Sequence, residues 1–212
     1  PFVYFEEDFE SGNALWFDNS GLAPLTAVPS GGEDGGAYVS TTLDFENDDA
    51  GDTIVTFRAE AIYNSSGFAY AGEWIDLEVE EVSFFVRHDA AFPINFFSRF
   101  SPTPRFPGGI AVDFAPVLPN VWTEVTFAID PTNPQFVSFE GQNFNSVFTQ
   151  VGNIQPGISV PAGLAGSTLP VTFDLDSVTI TRTPEPSSLA LLGLAASLGY
   201  RRRRSASAIL AA

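Results

Sequence analysis

Asp174 and Asp176 stand two positions apart in the alternating run Val171 to Ile180. That spacing puts both carboxylates on one face of a strand, where they offer hard oxygen ligands suited to a divalent cation. A second acidic group, Asp44, Glu46, Asp48, Asp49 and Asp52, lacks the glycine and closing glutamate of an EF-hand loop and reads as an exposed turn. His88 is the only histidine and falls at a strand end, where a structural role is expected. The chain has no cysteine, so thiolate metal sites, disulfides and cysteine nucleophiles are excluded. No nucleophile elbow, phosphate loop or dinucleotide fingerprint is present. Trp16, Tyr63, Tyr70, Trp74 and Trp122, with Asn64 nearby, are the side chains able to stack on sugar faces; core packing is the competing use of the same rings. Carboxylate pairs of the kind used in glycoside hydrolysis are abundant in so acidic a chain, so their presence selects nothing.

The charge is uneven along the 212 residues. The formal net charge is -17, yet four of the arginines are consecutive, Arg201, Arg202, Arg203 and Arg204. Only Glu185 among the acids lies beyond Thr183, so the preceding body holds 5 Arg against 25 acidic residues, a net of -20. Such a body repels phosphate backbones, and nucleic acid is excluded as a partner. It suits solubility, divalent cations, and neutral or cationic surfaces. Pro1 to Glu10 shows neither a basic n-region nor an apolar h-region. We expect a leader removed ahead of Pro1, because the far end of the chain demands export.

The elements that must position these groups are strands. Short runs of β-branched and aromatic residues alternate with Gly, Pro, Asn and Asp clusters, and no long amphipathic helix is visible from Pro1 to Arg182. The pattern predicts strands at Val3–Phe9, Ala37–Phe45, Thr53–Ala61, Ile75–Arg87, Ile94–Phe100, Ile110–Phe114, Thr123–Ile129, Phe136–Phe139, Val147–Val151 and Val171–Thr181. In the last of these the apolar face changes phase near Asp176, as a bulge would require. The expected fold is all-β, an antiparallel sandwich of jelly-roll type.

The phrases Asp8-Phe9-Glu10-Ser11-Gly12 with Trp16, Gly35-Gly36-Ala37-Tyr38-Val39-Ser40, Trp122-Thr123-Glu124-Val125 and Asp174-Leu175-Asp176-Ser177-Val178 resemble the layout of carbohydrate-binding-module jelly rolls. The resemblance implies a structural Ca²⁺ held between the first and last strands and an early glycine-rich loop. Carried over, that points to Glu10 and Asp176, with Asp174 and Gly35 as further candidates. It also implies glycan binding, for which Trp16, Tyr63, Tyr70 and Trp74 are the candidate residues.

Beyond Ile180 the composition changes. Thr183-Pro184-Glu185-Pro186 is stiff and non-helical. The uncharged run Ser187 to Tyr200 follows, and then the four arginines. Fourteen helical residues rise roughly 21 Å, short of a hydrocarbon core of roughly 30 Å, so spanning needs local thinning and arginine snorkelling. The arginines stay cytoplasmic and leave the acidic body on the far side. Pro184, Glu185 and Pro186, the apolar helix and the arginine stop together resemble the PEP-CTERM sorting signal, although Ser205 to Ala212 extend past the point where such signals usually end. The resemblance implies recognition by an exosortase-type membrane enzyme, transient anchoring in the cytoplasmic membrane, and an exopolysaccharide- or biofilm-associated cell surface or matrix.

The expected organisation is a β-sandwich over residues 1–182 and a sorting signal over 183–212, with a short apolar helix at the C-terminus. The body is read as a non-catalytic module binding glycan, Ca²⁺ or both. A secreted glycan-active hydrolase or lyase and a self-associating matrix subunit are the alternatives.

Overall fold

The computed structural model describes residues 1–184. The apolar helix expected at Ser187 to Tyr200 lies outside the described residues. In chain order the elements are β1 (Phe2–Glu7), β2 (Thr26–Val28), β3 (Tyr38–Leu43), β4 (Thr53–Val55), β5 (Ala59–Glu60), β6 (Val79–His88), β7 (Phe96–Ser101), β8 (Gly109–Val112), β9 (Thr123–Ala128), β10 (Phe136–Ser138), the helical turn α1 (Phe144–Phe148), β11 (Asn153–Ser159) and β12 (Val171–Arg182). Two 3₁₀ turns, Ala61–Tyr63 and Ser65–Phe68, follow β5.

Two six-stranded antiparallel sheets pack face to face. Sheet 1 runs β2-β3-β12-β6-β9, with β1 also pairing β12; sheet 2 runs β10-β8-β7-β11-β4, with β5 also pairing β11. Period-two alternation decides which side chains enter the space between them. On β9, Val125 and Phe127 are fully buried while Glu124 and Ala128 face water. The core is dominated by phenylalanine: Phe45, Phe57, Phe84, Phe96, Phe100, Phe127, Phe148 and Phe173 are all inaccessible. Each such ring contributes about 1.5–3 kcal/mol through burial. Edge-on pairs such as Phe100 with Phe127, centroids 6.3 Å apart, add directional contact. His88 sits among these rings, fully buried, with Nε2 3.1 Å from the carbonyl oxygen of Val117.

β12 organises sheet 1. Its first half lies between β3 and β6, and its second half between β1 and β6. The expected change of phase at Asp176 is real: the register with β6 shifts between Asp176 and Thr179, and Ser177 adopts a φ of +47°. Leu175 and Val178 therefore both point into the core, while Asp174 and Asp176 lie on the outer face before the bulge.

Three expectations are corrected. The run Val147–Val151 does not form a strand. Asn143 accepts a hydrogen bond from the backbone N–H of Ser146 at 3.0 Å and starts α1 instead. β2 and β11 were not expected. The span Ile75 to Glu78 is a turn closed by the N–H of Leu77 on the carbonyl of Glu73, 2.9 Å, so β6 begins only at Val79.

Candidate functional site

The outer face of sheet 1 is built in rows by the strand register. Thr26, Ser40, Asp174 and Arg87 face one another across β2, β3, β12 and β6. Ser40 donates its hydroxyl to Asp174 Oδ1 at 2.7 Å, and Arg87 donates through Nε to Asp174 Oδ2 at 2.8 Å. The Arg87 guanidinium carbon lies 4.5 Å from the Trp122 ring centroid and 5.1 Å from that of Tyr38, a cation–π arrangement. Tyr38 and Trp122 meet edge to face at 5.5 Å, both half-buried. Beside this cluster, Thr26, Val28, Ser40, Thr42 and Asp18 line an open groove of about 440 Å³. Hydroxyls, a carboxylate, a guanidinium and two aromatic rings thus share one surface.

One end of that face is roofed by the loop Gly31–Ala37. Trp122 Nε1 donates to the Gly31 carbonyl at 3.1 Å, and Arg87 Nη1 donates to the same oxygen at 3.3 Å. Asp176 is almost wholly buried beneath the loop, its Oδ2 accepting the N–H of Glu33 at 2.8 Å and its Oδ1 that of Ser177 at 2.8 Å. From the other side Glu10 Oε1 accepts the N–H of Ala37 at 2.6 Å. Glycine is required at position 32. A Cβ there would collide with Asp176 Oδ2 and come within 3.0 Å of the carbonyl oxygens of Gly36 and Ala37. One at Gly36 would collide with Glu10 Oε1 and meet Asp34 Oδ1 at 2.8 Å. Burial raises the Asp176 pKa, its two backbone hydrogen bonds oppose that, and the neighbouring Asp34 and Glu33 charges raise it further.

Asp176 and Glu10 carry oxygen atoms of the kind Ca²⁺ takes, but in this structure each accepts backbone N–H groups around the loop. Among the described residues no three acidic or histidine side chains converge on a point, so backbone oxygens would supply much of the coordination. Glu10 and Asp176 address the same loop from opposite sides. Asp174 does not join them, because it is held by Arg87 and Ser40. Gly35, at φ +93°, takes part through its carbonyl, which accepts the N–H of Gly31 at 3.2 Å.

The outer face of sheet 2 has the opposite character. Arg99 donates to both oxygens of Glu140, at 2.6 and 2.8 Å, and to Gln155 Oε1 at 2.9 Å. Gln155 in turn donates to Glu60 Oε1 at 2.6 Å. Glu60 is inaccessible to solvent and also pairs with Arg58, at 3.1 Å, and with Arg105. The segment carrying Arg105 passes over the strands, and Arg99 Nη2 donates to its carbonyl at 2.6 Å. Hydrogen bonds from Arg99 hold Glu140 below the usual carboxylate range despite partial burial, with help from the Gly108 N–H.

Three of the aromatic candidates are corrected. Trp16, Tyr70 and Trp74 are core residues, with Trp16 Nε1 donating to Ser66 Oγ at 2.9 Å and Trp74 Nε1 to the Tyr70 carbonyl at 2.9 Å. A sugar cannot reach their faces. Tyr63 is half-buried, its ring tilted against Phe17 with centroids 4.2 Å apart, and its hydroxyl donates to the Gly21 carbonyl. Tyr38 and Arg87 were missed, because alternation alone does not distinguish an outward ring over a guanidinium from an ordinary strand position.

Comparison with known proteins bears on the fold and the tail. The chain is similar to the CBM22-1-GH10 modules of an endo-1,4-beta-D-xylanase of Clostridium thermocellum complexed with xylohexaose, with TM-score 0.53 and 20% identity over 87% of this chain and 29% of that one. It is similar to an exo-beta-agarase, with TM-score 0.51 and 9% identity over 87% of this chain and 26% of that one. It is also similar to a family 11 carbohydrate-binding module of Clostridium thermocellum in complex with a beta-1,3-1,4-mixed-linked tetrasaccharide, with TM-score 0.50 and 12% identity over 87% and 99%. The chain thus spans under a third of the first two proteins and nearly all of the third. No curated protein matches it. Residues 182–204 match the PEP-CTERM protein-sorting motif. The chain is a β-sandwich similar in fold to carbohydrate-binding modules, and it carries a PEP-CTERM protein-sorting motif where its last strand ends.

Proposed function

We propose that this is an exported surface module, sorted through its tail by an exosortase-type enzyme, whose 1–182 body binds neutral glycan without cleaving it. The observation that carries the reading is the Tyr38–Arg87–Trp122 cluster beside the hydroxyl-lined groove on sheet 1. Aromatic faces take the apolar faces of sugars, and the adjoining Ser40, Thr26 and Asp174 exchange hydrogen bonds with hydroxyls. A body of net charge -20 repels anionic polymers and leaves uncharged glycans as the natural ligand class.

Ca²⁺ under the Gly31–Ala37 loop would be structural. Held by Asp176, Glu10 and loop carbonyls, it would neutralise an acidic corner and fix the loop that Trp122 and Arg87 grip. Hydrolysis is disfavoured by a specific feature. Asp174, the carboxylate within the aromatic cluster, is paired with Arg87 and accepts the Ser40 hydroxyl, which leaves it poorly placed to act as a general acid there. After processing of the tail the module would stand at the cell surface or in the surrounding matrix.

The test is a glycan array followed by calorimetry on the full chain, with and without millimolar Ca²⁺. Binding to a neutral polysaccharide that weakens on Trp122→Ala, with no reducing ends released, is the expected result. Release of reducing ends, or an equal affinity in the variant, would sink the reading.

A further inference from the structure

At the end of the sandwich where β12 leaves sheet 1 lies an open groove with a small apolar floor and an acidic rim. Its floor is Val79 and Ile129, its rim Glu78, Glu80 and Asp130, and its volume about 490 Å³. It continues into a hollow of about 150 Å³ walled by Trp74, Ile75 and Phe144. Thr183 is part of the wall. Its N–H donates to the Glu78 carbonyl at 3.0 Å and its hydroxyl to Glu80 Oε1 at 2.6 Å. The chain therefore enters its sorting segment from inside this groove.

We propose that the domain shelters its own sorting segment, with residues 187–204 docking intramolecularly in the groove while the protein is in water. The inference rests on reading 182–204 as a sorting segment. Length, chemistry and charge select this occupant. Leu189 follows Pro184 by five residues, a reach of roughly 17 Å at most, so the five leucines of Ser187 to Tyr200 are delivered at the groove mouth. Tethering of this kind corresponds to an effective concentration on the order of millimolar. Among the described residues the lining contains Glu78, Glu80 and Asp130 and no arginine, whereas Arg201 to Arg204 follow the leucines directly in sequence. An uncharged Leu- and Ala-rich run left in water is an aggregation hazard, and docking its first leucines against Ile75, Val79 and Ile129 would cover part of it until a bilayer offers the larger apolar phase.

The natural absence of cysteine makes the test direct. In the full chain, Ile75→Cys with Leu192→Cys is compared under mild oxidation with Leu22→Cys and Leu192→Cys. Leu22 is 85% exposed and lines no part of the groove. An intrachain disulfide should form at least about tenfold faster for the first pair. Reversing Arg201 to Arg204 to Glu, a change outside the sandwich, should bring it down to the control rate. Equal rates for the two pairs would overturn the proposal. So would a disulfide between chains whose rate rises with protein concentration, which would assign the groove to a second copy. Exosortase-dependent processing in cells is scored separately, and its loss would count against the sorting reading alone.

Discussion

The two outer faces of the sandwich use scarce cations in opposite ways. The body has five arginines. Three of them, Arg58, Arg99 and Arg105, gather on sheet 2, where they neutralise Glu60 and Glu140 and close the face. Sheet 1 has Arg87, which is matched to Asp174 and laid across Tyr38 and Trp122, and Arg182, which lies over Phe2 and Tyr4; among the described residues no arginine pairs with Asp176. The pKa shifts register the difference, since Glu140 is held low by Arg99 while Asp176 is pushed up by burial and by Asp34 and Glu33. One face is a finished ionic structure. The other keeps an open groove and a buried carboxylate with no cation paired to it among the described residues.

The sharpest way to break this contrast is to remove the two equivalent arginines in turn. Arg99→Met leaves buried acceptors without their cation and should cost about 3–5 kcal/mol in chemical denaturation. Arg87→Met leaves Asp174, 9% exposed, with the Ser40 hydroxyl as its remaining partner and should cost about 1–3 kcal/mol while abolishing glycan binding. Equal destabilisation by both would remove the distinction between the faces. Next in size is calcium. At about 100 times its Kd the ion should add about 2.7 kcal/mol to stability, read as a rise in Tm. Asp176→Asn should lose that gain, since one of its two backbone donors, Glu33 or Ser177 N–H, would face an amide NH₂. A smaller effect is expected of Trp122→Ala, roughly 1 kcal/mol of affinity or about fivefold, with the Tm almost unchanged.

The smallest effects are in pH dependence, and their signs differ. Glu140 has a lowered pKa in the folded state, so its contribution is present above about pH 4.3 and is lost as pH falls through the folded value. Asp176 has a raised one, so its contribution is full below about pH 3.9 and is lost as pH rises through the folded value. His88 is lowered by burial, opposed by its bond to Val117 and the Asp89 charge, so acidification below about pH 6.5 should destabilise. Urea midpoints of Glu140→Gln, Asp176→Asn and His88→Gln between pH 3 and 8 separate the three.

Much of this fold was legible because its alternation is strong. Val125 and Phe127 mark β9, and the change of phase expected near Asp176 adjoins the register shift found between Asp176 and Thr179. β11 escaped because Asn-Ile-Gln-Pro-Gly-Ile-Ser carries little strand propensity. Its identity comes from neighbours on both sides, β7 pairing along six residues and β4 and β5 along the other edge. α1 was misread because its valine and phenylalanines suit a strand equally well, and one side-chain cap at Asn143 decides the matter. The meeting of Glu10 and Asp176 at the Gly31–Ala37 loop was accessible through a likeness of short phrases. The sheet 2 network was not, since Glu60 and Gln155 lie 95 residues apart and 25 acids compete for each arginine in sequence. Ring exposure was equally hidden, and Trp16 and Trp122 look alike until the sheets are assembled.

β12 also has a mechanical consequence. It is the inner strand of sheet 1, hydrogen-bonded to β1, β3 and β6, and it runs straight into the motif at 182–204. A tether fixed in a membrane would pull along this strand, at right angles to its ladder bonds. Bonds with three neighbours would then be sheared together rather than peeled one by one. Drag on the exported domain while its tail is held would thus meet the sandwich in its most resistant direction.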